Sequence, residues 1–146
     1  MPRSSVVDAS VAAKWYVPER GHDHAAALLE ATRAGTAQLL APDLIVAELG
    51  NALASRAAGG EITQKQAADR LSGFLLTPVK LEPSSVLAAD ALGVAARLRV
   101  TFYDALYLAA AHQPRAPLVS ASEQLVRLVR RTGFERSAVR LADALV

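Results

Sequence analysis

Short apolar runs alternate with longer amphipathic stretches along the whole chain, and this alternation restricts the fold more than any other feature of the sequence. The runs at residues 5–7, 38–41, 79–81, 118–120 and 139–141 are rich in valine and leucine and read as buried strands. Between them, residues 11–17, 23–34, 44–58, 64–74, 86–98, 104–112 and 123–132 carry apolar side chains at helical spacing. Strands separated by helices cannot be joined by tight hairpins, so they are expected to lie parallel. The reading is an α/β fold: three layers, α/β/α, around a central, mostly parallel sheet.

Helix ends are marked locally. Thr63 and Gln66 have the spacing of a capping box, Asp43 follows Pro42 at another start, and Gly35, Gly59 and Gly133 stand just past expected helix ends. The Gly59 and Gly60 pair, within residues 57–61, makes a flexible corner between two helices. With 146 residues, 52% of them hydrophobic, the chain has the apolar content for a single domain over residues 1–146 with a real core. Sixteen basic against fourteen acidic side chains leave a net charge of +2, too small an excess to identify a nucleic-acid binder. The absence of cysteine excludes disulfides, thiolate metal sites and a thiol nucleophile. Uncharged stretches fall short of the roughly 18 apolar residues of a membrane span, and the first residues lack the blocks of a secretory leader. A cytoplasmic location, with no membrane contact, is the expectation.

Three carboxylates stand where the apolar pattern leaves little room for them. Asp8 ends the run Val6, Val7, which puts it at the carboxyl end of the first strand, the edge where open parallel sheets bind ligands. A helix N-cap is the alternative reading. Glu48 lies within Leu44–Leu49, with Ile45 and Ala52 on the same helical face. A charge so close to a buried face needs a cation, a hydrogen-bond network or a path to solvent, and Asn51 is a candidate member of such a network. Asp104 is the one charged residue between Arg99 and His112, at the first turn of a helix, where capping again competes with a functional role.

Together these three carboxylates suggest a shared divalent cation. Oxygen ligands without cysteine or a histidine motif suit Mg²⁺ or Mn²⁺, and zinc fits poorly. His22, His24 and His112 read as surface residues at helix ends. Trp15 and Tyr16 read as a packed helix face, with base stacking as the alternative. Arg127, Arg130, Arg131, Arg136 and Arg140 form either a solvated face or an RNA surface, and Lys14 stands near the first motif as a possible phosphate contact.

The segments VVDASVAAKWYVPE (residues 6–19), PDLIVAELGNAL (42–53) and FYDALYLAAA (102–111) resemble, in order and over nearly the whole chain, the motifs of PIN-domain ribonucleases, in particular VapC-type toxins of prokaryotic toxin–antitoxin pairs. The resemblance implies a PIN-like α/β/α fold, Mg²⁺ or Mn²⁺ at an acidic pocket, endonucleolytic hydrolysis of RNA, an antitoxin partner and a homodimer. It assigns Asp8, Glu48 and Asp104 to the first three acidic positions, as metal ligands and catalytic groups, and Ser10 to the accompanying hydroxyl. Ser122 stands where members commonly carry a fourth acid. Glu123 is adjacent, but one residue along a helix turns a side chain by about 100°. Whether one or two metals bind, and whether Glu123 substitutes for the fourth acid, stays open.

Other enzymes with an Asp after the first strand match less well. A dehalogenase-like phosphatase would carry a second Asp at Ser10, and a phosphoacceptor receiver a lysine after a late strand. The competing reading is a PIN-like module that binds RNA or protein with little catalysis, because Ser122 has replaced an acid. A neighbouring antitoxin gene would discriminate between the two.

Overall fold

The computed structural model describes residues 3–112, 116–131 and 138–144. The chain runs β1 (Arg3–Val7), α1 (Ala9–Lys14), α2 (His22–Arg33), β2 (Ala37–Pro42), α3 (Leu44–Ala58), α4 (Gln64–Leu75), β3 (Lys80–Glu82), α5 (Ser84–Leu98), α6 (Phe102–His112), β4 (Leu118–Ser120), α7 (Glu123–Arg131) and β5 (Ala138–Arg140), followed by a 3₁₀ turn (Leu141–Asp143). Thr132, Gly133 and Arg136 lie outside the described residues.

The strands form one all-parallel sheet in the order β3-β2-β1-β4-β5, flanked by helices, as the alternation of runs implies. The chain builds outward from β1 in one direction through β2 and β3, then crosses back to place β4 on the other side. The connections from β1 and β4 therefore depart in opposite directions, and a crevice opens at their carboxyl ends. Val6 pairs with Leu118 and Val7 with Val119, so Asp8 and Ser120 follow at matching positions on the two strands.

The core has Val6, Val7, Leu39, Leu118 and Val119 from the sheet, all essentially inaccessible to solvent. α6 packs against α5 and against β1, β2 and β4. It is buried around its whole circumference from Ala105 to Ala111. Four alanines in that stretch make it narrow enough to lie between neighbours on every side. No helix of the described residues is long and apolar enough to cross a membrane.

Several boundaries differ from the periodicity. α1, α5 and α6 each begin two residues before the expected start, because polar side chains hold the first turn ahead of the first apolar-periodic residue. α1 ends at Lys14 rather than Val17, where Pro18 disfavours helical backbone at the preceding residue. The capping box is present: Thr63 Oγ1 accepts from the Gln66 amide at 3.0 Å, and Gln66 Oε1 accepts from the Thr63 amide at 2.8 Å. Asp43 behaves differently from expectation. Its carboxylate makes no cap bond to α3 and instead accepts from the Ser84 amide at 3.0 Å and from the Ser84 hydroxyl, capping α5. After α3 the left-handed residue is Gly60, with φ +77°, and Gly59 keeps right-handed backbone.

Candidate active site

Asp8 is at once a helix cap and a pocket residue, so the two readings of its position are not alternatives. Its Oδ1 accepts from the Ser10 amide at 3.1 Å, the Val11 amide at 3.3 Å and the Ser10 hydroxyl. Its Oδ2 accepts from the Ser120 hydroxyl at 2.5 Å. Both hydroxyls in turn receive backbone protons, Ser10 from the Ala121 amide at 3.0 Å and Ser120 from the Ser122 amide at 3.0 Å. Each is thereby oriented to give its own proton to Asp8. Only 7% of Asp8 is exposed. Burial raises its pKa, and the two serines with the Val11 and Ser10 amides offset part of the rise.

Glu48 projects from α3 one turn after the buried Ile45. Tyr107 of α6 donates its hydroxyl proton to Glu48 Oε1 at 2.8 Å. Burial raises the Glu48 pKa, the Tyr107 hydrogen bond lowers it, and the charges of Asp8 and Asp104 raise it again. Asp104 is the third residue of α6, and its amide donates to Thr101 Oγ1 at 3.1 Å. Thr101 thus takes the capping role, and the Asp104 carboxyl has its pKa raised by burial, partly offset by Thr101.

The three carboxylates line one pocket of about 320 Å³, whose remaining wall includes Ser10, Tyr107, Ser122, Gln124, Leu125 and Leu128. It opens where the sheet order reverses. Among the described residues no group of three His, Asp or Glu side chains is drawn together as a ready metal cage. The donors are all oxygen, however, and a small hard cation needs one or two direct carboxylates with waters completing its octahedron. The residues fit such an ion.

The structure does not bring every expected residue into this pocket. Ser122 lines it, but its hydroxyl is engaged at 3.3 Å with the Leu125 amide, capping α7. Glu123, one position on, is exposed and lines a separate cavity of about 480 Å³ with Lys14, Arg20, His24 and Arg140. Asn51 is exposed and off the pocket wall. Glu48 finds its partner in Tyr107 instead.

Two participants were missed from the sequence, Ser120 and Tyr107. Ser120 ends the run Leu118, Val119 as Asp8 ends Val6, Val7, a parallel that marks it once the strands are known to be neighbours. Tyr107 stands three residues after Asp104, hence on the same helix face.

Outside the pocket, Trp15 packs as expected: its indole N–H donates to the Ala25 carbonyl at 2.7 Å and its ring stacks with Phe74 at 6.2 Å. Arg127, Arg130 and Arg131 are exposed on α7, with Leu125, Val126 and Val129 buried beneath. Lys14 is paired with Glu19 at 3.1 Å and Arg140 with Asp143 at 2.7 Å. His22 donates a ring proton to the Lys14 carbonyl at 2.6 Å, whereas His24 and His112 are exposed.

The PIN domain family matches residues 5–131. The chain belongs to the PIN-domain family. Its fold is similar to that in the crystal structure of PAE2754 from Pyrobaculum aerophilum, with a TM-score of 0.71 over 99% of this chain and 96% of that one at 24% sequence identity. No curated protein matches the sequence. The PIN domain is generally a nuclease fold, and in this one the acidic pocket lies at the crevice between β1 and β4.

Proposed function

We propose that this PIN-domain chain is a Mg²⁺- or Mn²⁺-dependent endoribonuclease and the toxin of a toxin–antitoxin pair. The observation that carries the reading is the meeting of Asp8, Glu48 and Asp104 around one pocket of a PIN domain, each with its pKa raised by burial. Buried carboxylates of like charge are unfavourable on their own, and positive charge relieves them. The motif order of VapC-type toxins supports the narrower role.

Asp8 and Asp104 would hold the cation, with Glu48 acting directly or through water. Asp8 is prepared for this, since Oδ1 is taken up by three donors while Oδ2 accepts only the Ser120 proton. A bound divalent cation supplies charge against the phosphate and acidifies a water molecule. Glu48, made more basic by burial and by its acidic neighbours, is suited to accept the proton of the attacking water. The new oxygen–phosphorus bond forms as the bond to the leaving nucleotide breaks. Ser10 and Ser120 hold Asp8 still through the reaction. The exposed arginines of α7 are available to RNA phosphates.

The antitoxin partner would cover the acidic pocket with basic or apolar side chains, which its charge favours, and the toxin itself would be a homodimer. A second reading, an RNA- or protein-binding PIN module with little catalysis, draws on Ser122, whose hydroxyl serves as a cap and leaves the fourth acidic position without a carboxylate. Incubation of the purified chain with RNA separates them. Cleavage with Mg²⁺ or Mn²⁺ that is lost with chelator, and reduced about 100-fold or more in Asp104→Asn, supports the nuclease. Binding of RNA without cleavage under any metal condition supports the module, and cleavage that persists in chelator and in the variant is a contaminating nuclease.

A further inference from the structure

Tyr107 is only 3% exposed, yet its polar atom serves the pocket rather than the core. The hydroxyl donates to Glu48 Oε1 at 2.8 Å. One atom thereby ties together two of the elements that carry the carboxylates: α6, which also holds Asp104, and α3 through Glu48. A phenylalanine would fill the same space. A buried hydroxyl is costly without a partner, and here the partner is Glu48 of the pocket.

The consequence falls on how the carboxylates present themselves. Glu48 has Oε1 occupied by Tyr107, and Asp8 has Oδ1 occupied by three donors, so each has a single oxygen less encumbered. Ca²⁺ takes six to eight oxygens and readily accepts both oxygens of one carboxylate, whereas Mg²⁺ takes one oxygen from each of one or two carboxylates and keeps waters. We propose, resting on the metal-dependent reading above, that Tyr107 is a positioning residue for cation choice: by holding Glu48 through one oxygen it leaves the other for a cation or its water, favouring Mg²⁺ over Ca²⁺.

The test is calorimetric titration of the chelator-stripped full chain with Mg²⁺ and separately with Ca²⁺, for wild type and Tyr107→Phe. Wild type is expected to prefer Mg²⁺. The variant is expected to bind Mg²⁺ about tenfold more weakly, the scale of lost outer-shell hydrogen bonds, with Ca²⁺ affinity held within about threefold. An unchanged ratio between the ions, a parallel loss of both, or equal binding by wild type overturns the proposal and leaves the metal-dependent reading standing. Failure of wild type to bind either ion overturns both. Circular dichroism checks that the variant folds. Should it not, Glu48→Asp draws the carboxylate back from the hydroxyl with Tyr107 in place, and the same fall in the ratio is expected. An unchanged ratio there overturns the proposal as well.

Discussion

At the scale of single residues, Asp8 shows how one carboxylate serves fold and site together. Its Oδ1 satisfies amides at the start of α1, and its Oδ2 joins β1 to β4 through Ser120. Asparagine is as good a helix cap as aspartate and can donate toward Ser120 in place of accepting. Asp8→Asn is therefore expected to keep the far-ultraviolet spectrum and to unfold no earlier than wild type without metal, while RNA cleavage falls about 100-fold or more. An equally active variant would remove Asp8 from the chemistry. Ser122 makes a different case, since its hydroxyl is spent on the Leu125 amide. Ser122→Ala should cost about 1 kcal/mol in denaturant unfolding through the lost cap, with cleavage within about threefold. Ser122→Asp keeps a capping oxygen and adds charge at the pocket wall, so Mg²⁺ affinity and cleavage at low Mg²⁺ should rise. Glu123→Gln should leave Mg²⁺ affinity unchanged, because that side chain lines the neighbouring cavity.

At the scale of elements, signals contained within a few residues were legible and those that join distant segments were not. The capping box of α4 needs only Thr63 and Gln66, and the seven α-helices among the described residues follow from local periodicity with displaced ends. Asp43 looks from the sequence like the cap of the helix it precedes, yet it caps α5 across a separation of 41 residues, which depends on β2 and β3 lying side by side. Asp43→Ala should thus lower stability by about 1 kcal/mol, and hydrogen exchange should speed up at Ser84 while the first turn of α3 keeps its protection. Faster exchange confined to α3 would refute the assignment. The site has the same division. Asp8, Glu48 and Asp104 stood out as charges in apolar surroundings, whereas Ser120 became legible only through the pairing of β1 with β4, and Tyr107 passed for core within an apolar helix. The alternation of runs implied a parallel sheet, but the order β3-β2-β1-β4-β5 depends on where the β3-to-β4 crossover returns, which no local pattern encodes.

At the scale of the whole molecule, a chain of net charge +2 separates its charges, with three carboxylates around one pocket and exposed arginines along α7. The acidic cluster makes the stability of the metal-free protein depend on pH in a definite sense. Asp8, Glu48 and Asp104 all have pKa values raised in the folded state, chiefly by burial. Between the ordinary carboxylate pKa and these raised values, the folded protein retains protons that the unfolded chain has released. The stability so contributed is complete below the ordinary value and is lost as pH rises through the raised ones. Metal-free protein should therefore unfold at a higher temperature at mildly acidic pH, just above the ordinary carboxylate range, than at neutral pH, and Asp8→Asn should narrow the difference. Mg²⁺ should act in the opposite direction of pH, since it binds the deprotonated carboxylates: at neutral pH it should raise the unfolding temperature, by about 2.7 kcal/mol of stability at a hundred times its Kd, and the gain should shrink as the pH falls. Differential scanning calorimetry at the two pH values, with Mg²⁺ and with chelator, reads all four states. A metal-free protein that grows steadily less stable from neutral pH downward would mean that the pocket carboxylates are already compensated by positive charge within the chain, and the case for a cation there would fail.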